Sequence, residues 1–141
     1  MSKILLLIAS IILFSQTALA DTCPSVTDIK QNHLDGWKAF DSEDGTPFPP
    51  GKIAQLAKYI HQFALAEYTA KGPNGTAVHC YYRDVHGSDL EAYFSKDNIN
   101  PINAKNTWYQ VSGYMHCAAG NENCAFQSKL PLGSGNTLAK K

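Results

Sequence analysis

Neither sign of charge is in excess in this chain. Twelve lysines and arginines stand against twelve aspartates and glutamates, which leaves no electrostatic case for nucleic acid or anionic lipid as a partner. No serine sits in a G-x-S-x-G context, and no phosphate-binding glycine loop, H-E-x-x-H or C-x-x-C occurs. The chemistries that those motifs carry therefore have no foothold in the sequence. Cysteine and histidine spacings typical of structural zinc are missing as well. Asp41, Glu43 and Asp44 lack the regular alternation of an EF-hand loop, so their cluster reads as a solvated loop. No internal repeat is present. Beyond the first twenty residues nothing is long and apolar enough to cross a bilayer.

What is present begins at the N-terminus. Lys3 precedes an apolar stretch, Ile4 to Phe14, and Ala18-Leu19-Ala20 forms an A-x-A cleavage signal. Residues 1–20 are expected to be a secretory signal peptide, with an exported domain over 21–130 and a small, polar, glycine-rich tail over 131–141. Cleavage leaves no membrane insertion; an uncleaved signal would tether the same domain to the inner membrane, facing the periplasm. A lipoprotein needs cysteine directly after the cleavage site, and Asp21 and Thr22 come first.

All four cysteines, Cys23, Cys80, Cys117 and Cys124, lie in the exported part, and an even number there reads first as disulfides. Gly120 and Asn121 can turn the chain between Cys117 and Cys124, which favours a local bridge and pairs Cys23 with Cys80. The crossed pairings stay open. Two of the cysteines follow histidines, at His79-Cys80 and His116-Cys117, and both pairs sit in strand-like segments. Neighbouring side chains of a strand point to opposite faces, so adjacent His and Cys do not converge on one metal. Val78, Cys80 and Tyr82 are expected on one face, with His79, Tyr81 and Arg83 on the other. With Trp108 to Cys117 read as one strand, Trp108, Tyr114 and His116 lie opposite Cys117. Were the two strands neighbours, His79, Tyr81, Trp108, Tyr114 and His116 would form one aromatic and histidine surface, the candidate partner surface; packing beneath a helix is the alternative.

The other elements complete a coarse map. "DTCPSVTDIKQN" reads as a short helix with Pro24 at its first position, capped by Thr22 or Cys23, and with Val26 and Ile29 facing the core. "GWKAF" and "DLEAYFSK" read as strands, and "DSEDGTPFPPG" as a loop. Ile53, Leu56 and Ile60 mark a helix over about 51–60. A hairpin from 62–70 to 76–83 follows through Gly72-Pro73-Asn74-Gly75, with a continuous helix to residue 70 as the alternative. "DNINPINAKNT" reads as a loop, and "CAFQSKL" as a strand closing the sheet. The expected fold is α+β: a small single domain with an antiparallel sheet of four or five strands, one or two helices and two disulfides.

A search for chemistry finds one polar cluster, Tyr82, Arg83, Asp84, His86 and Asp89, which reads more simply as a strand end and turn with a surface ion pair. No catalytic residue, cofactor or metal ligand is assigned. Three classes of function remain: a binding or accessory module of an envelope machine, a small secreted hydrolase or inhibitor, and a periplasmic ligand-binding domain. The first requires no motif.

Taken in order, "CPSVTDIK", "DGWKAFDSEDGTP", "QFALAEYT", "HCYYRD", "LEAYFSK" and "WYQVSGYMHCAAGNENCAF" resemble small exported proteins of Legionella- and Coxiella-type bacteria, the EirA-like family associated with the Dot/Icm type IV secretion system. The resemblance covers roughly residues 22–126 and is carried by the cysteine framework and the W…CYY…C…C order. It implies a non-enzymatic, periplasm-facing accessory protein that supports effector translocation and intracellular replication through protein contacts in the cell envelope. It implies no catalytic residues.

Overall fold

The structure, a computed structural model, describes residues 20–128; the signal segment up to residue 19 and the tail from residue 131 lie outside them. Helix α1 (Val26–Lys30) opens the domain and strand β1 (Lys38–Asp41) follows. Helix α2 (Pro50–Tyr59) leads into the hairpin of β2 (Gln62–Gly72) and β3 (Gly75–Arg83). Then come β4 (Asp89–Asp97), β5 (Ile99–Pro101), β6 (Tyr109–Val111), β7 (Tyr114–Cys117) and β8 (Phe126–Ser128). Six strands make one antiparallel sheet in the order β1-β4-β3-β2-β7-β6, and β5 pairs with β8 in a separate ribbon.

The α+β reading holds at this level, with more strands than expected. "WYQVSGYMHC" is not one strand. Ser112 and Gly113 both take positive φ, +45° and +87°, and reverse the chain into the β6–β7 hairpin. "CAFQSKL" does not close the main sheet, because Phe126 to Ser128 pair with Ile99 to Pro101. The asparagine-rich segment thus supplies β5, where Pro101 is tolerated at the strand's end. The hairpin reading of residues 62–83 stands, and the continuous helix does not. Its turn needs glycine at Gly72, because a Cβ there would meet the Gly75 carbonyl oxygen at 2.8 Å.

Capping differs from expectation at α1. Ser25, not Thr22 or Cys23, is the N-cap: its Oγ accepts from the Asp28 N–H at 3.0 Å, and the Asp28 carboxylate accepts from the Ser25 N–H. This reciprocal box satisfies two otherwise orphaned N–H groups, and Pro24 is left just outside the helix.

The period of two along β3 sets the layers. Val78, Cys80 and Tyr82 are fully buried on one face, together with Ala39, Ala66, Phe94 and Cys117 from neighbouring strands. Ile29 of α1, Ala57 of α2, Ile60 and, from the ribbon, Ile99 and Phe126 pack into the same core. Each large side chain buried there stabilises the fold by roughly 1.5–3 kcal/mol. Two disulfides tie this layer down, Cys23–Cys80 and Cys117–Cys124, the pairing favoured from the turn residues. Together they are compatible with an exported protein of an oxidising compartment. No helix among the described residues is long and apolar enough to cross a membrane.

Candidate functional site

The other face of the sheet carries a row of polar and aromatic side chains that crosses all six strands. Pairing register defines it: Lys38 lies opposite Ser95, Ser95 opposite His79, His79 opposite Glu67, Glu67 opposite His116, and His116 opposite Tyr109. A second row, one pleat along, runs Phe40, Tyr93, Tyr81, Leu65. The rings of the two rows touch. His79 and Tyr93 lie 4.5 Å apart by centroid, Tyr81 and Tyr93 5.7 Å, and Phe40 stacks on Tyr93 at 5.5 Å.

Glu67 is the centre of this face. His116 Nε2 lies 2.9 Å from Glu67 Oε2. An ionised carboxylate only accepts, so the imidazole donates here and the tautomer is set. Glu67 Oε1 has the Tyr81 hydroxyl at 3.5 Å and His79 Nδ1 at 3.7 Å. The His79 imidazole beside it, and then His116, hold the Glu67 carboxyl below its ordinary range, although burial pushes the other way. Burial raises the phenols of Tyr81 and Tyr93, and the Glu67 charge adds to both shifts.

The depressed value makes a pH prediction. Stability from Glu67 is fully present above the ordinary glutamate value, about 4.3, and is lost as pH falls through the lower folded value. Urea denaturation of the protein and its Glu67→Gln variant should therefore show a stability gap at pH 5 that narrows by pH 3. A gap that stays constant over that range refutes the coupling.

Of the five residues of the candidate partner surface, His79, Tyr81, Tyr114 and His116 share this face. Trp108 does not, which corrects the single-strand reading. The turn at Ser112-Gly113 inverts the alternation, so Tyr109 and Val111 take the open face and Trp108 enters the core at 4% exposure. Its indole N–H donates to the Ala125 carbonyl at 3.0 Å. Glu67, Tyr93, Tyr109 and Val111 are members that sequence reading missed. The alternation of "QFALAEYT" and "DLEAYFSK" carries the first two, and the Ser-Gly dipeptide as a turn signal gives the others.

Elsewhere the chemistry is thinner. Arg83 Nε donates to Asp89 Oδ1 at 2.8 Å in an exposed pair, and Asp84 Oδ1 accepts from the His86 and Ser88 N–H groups, so this cluster is a strand-end turn. A cleft of about 530 Å³ beside it is lined by Lys30, Lys58, Tyr59 and His61, among others. Among the described residues neither Lys30, Lys58 nor His61 takes part in an ion pair. No free cysteine exists to act as a nucleophile. Among the described residues no group of three or more His, Cys, Asp or Glu side chains is arranged to hold a metal ion.

No curated protein and no solved structure matches the chain. One family model does, over residues 16–127, which takes in both helices, the six-stranded sheet and the two disulfides. By that match the chain belongs to the family described as "Protein of unknown function (DUF3757)".

Proposed function

We propose that this protein is a non-enzymatic accessory module of the bacterial periplasm that works by binding a protein partner on the open face of its sheet. The observation that carries this reading is the β6–β7 hairpin. Tyr109, Val111 and Tyr114 are 50%, 37% and 44% exposed, and they lie together at one edge of the sheet. Scattered exposed apolar residues need no explanation, but a clustered patch rimmed by polar groups marks an interaction site. Tyrosine is also enriched at interface hot spots. The patch runs on without a break into His116, Glu67, His79 and Tyr81. The hairpin's β6 is an edge strand, so a partner strand can pair alongside it.

Support for type IV secretion, effector translocation and intracellular replication comes from the EirA-like resemblance of the sequence. Support for the compartment comes from the two disulfides and the signal-like N-terminus. The test is cross-linking of the tagged protein in its native envelope, followed by mass spectrometry, beside a Tyr109→Ser/Tyr114→Ser variant. Reproducible recovery of secretion-apparatus components, reduced at least about tenfold in the variant, is the expected result. The double variant's stability should stay within about 1 kcal/mol of the parent, about 0.5 kcal/mol for each surface substitution. A protein recovered alone, or the same partners on an unchanged variant, overturns the proposal.

A further inference from the structure

Contact through apolar tyrosines leaves one feature of the open face unused, its central carboxylate. The Glu67 side chain keeps only 19% of its surface in water. An ionised carboxylate has room for about four hydrogen bonds. Oε2 receives one short bond, from His116 at 2.9 Å. Oε1 has no close donor, since Tyr81 Oη stands at the outer limit of a hydrogen bond, 3.5 Å, and His79 Nδ1 lies at 3.7 Å. Among the described residues Glu67 has no lysine or arginine partner. Arg83, farther along β3, is held by Asp89. Lys38 is three strands away in the row, about 14 Å at the usual strand spacing. A half-satisfied, largely shielded anion therefore sits among tyrosine rings, whose faces attract cations.

We propose that this face receives a cationic side chain of the protein partner, arginine before lysine, with its charged head at Glu67 Oε1 and its stem against Tyr81 and Tyr93. Arginine leads because its planar head stacks on aromatic rings and still presents several N–H donors to a carboxylate. The apolar neighbours of that side chain in the partner would lie on Tyr109, Val111 and Tyr114. This inference rests on the partner-binding reading and gives it a chemical class: a partner segment with an exposed basic residue flanked by apolar ones.

The test uses the exported, disulfide-bonded protein and two blocked peptides, acetyl-Gly-Ser-Arg-Ser-Gly-amide and its citrulline counterpart. Citrulline keeps the shape and most donors of arginine but removes the charge. Side-chain NMR shifts of Tyr81, Tyr93 and His116 follow binding, and choline chloride is titrated in parallel. The expected result is binding of the arginine peptide at least about tenfold tighter than the citrulline peptide. Glu67→Gln should abolish that preference in a variant whose spectrum remains that of the folded protein. The arginine-against-citrulline comparison needs no variant, so it decides even where Glu67→Gln fails to fold. Equal affinity for the two peptides, or no shift with either, overturns the inference. Choline binding as tightly as arginine overturns it in favour of a quaternary-ammonium headgroup. Loss of the arginine preference while Tyr109→Ser/Tyr114→Ser still sheds its envelope partner leaves the partner-binding reading standing and removes only the cation.

Discussion

Replacing both Cys23 and Cys80 with alanine is expected to lower the unfolding free energy by about 4 kcal/mol. The bridge joins residues 57 apart in sequence, and it ties the segment before α1 to the middle of β3. Without it the unfolded chain regains the freedom of a long loop. Cys117–Cys124 spans a separation of only 7, so the same loop-entropy relation gives about 2.5 kcal/mol for its removal. The two double variants should therefore differ by roughly 1.5–2 kcal/mol, with the long-range bridge the more costly to lose. Against a total of about 5–15 kcal/mol for a domain of this kind, the first loss removes a large share of the stability. Urea denaturation of both variants, each with the other bridge intact, measures the difference. Equal losses would show that local packing of the buried sulfurs, not chain restriction, sets the contribution of each bridge.

The same cysteines show how far the sequence can be read and where reading stops. The disulfide pairing is legible because turn residues lie between Cys117 and Cys124 and only one partner then remains for Cys23. The faces of β3 were legible because its alternation is uninterrupted from Val78 to Tyr82. The β2–β3 hairpin was legible from Gly72-Pro73-Asn74-Gly75. Failure begins at Ser112. Two consecutive residues in the left-handed region, Ser112 and Gly113, split the strand, and a split strand exchanges the faces of everything before it. Reading residues 108–117 as one strand puts Trp108 on the open face for that reason alone. The β5–β8 ribbon was hidden for another reason: three-residue strands carry almost no periodicity, and their pairing is set by distant contacts. Glu67 was missed because its importance lies in what lies beside it. Register alone brings His79 and His116, from two different strands, to the two sides of one carboxylate.

The inversion at Ser112-Gly113 makes Trp108 and Tyr109 a sharp pair of probes. Trp108→Ala is expected to destabilise the protein by about 3–5 kcal/mol, the range for removing a large aromatic from a core. The substitution empties a site packed in the main hydrophobic cluster and leaves the Ala125 carbonyl without its indole donor. Tyr109→Ala, one residue on, removes a side chain that is half exposed and lies 6.1 Å from the His116 ring by centroid. Its cost should stay below about 1 kcal/mol, and its effect should fall on partner capture instead. Chemical denaturation of the two variants, with envelope cross-linking of Tyr109→Ala, separates the roles. A stable Trp108→Ala protein that has lost its partner would return the tryptophan to the surface and restore residues 108–117 to a single strand. Loss of fold at Trp108 and loss of partner at Tyr109, in adjacent residues, requires the two side chains to face opposite sides of the sheet at the β6–β7 hairpin.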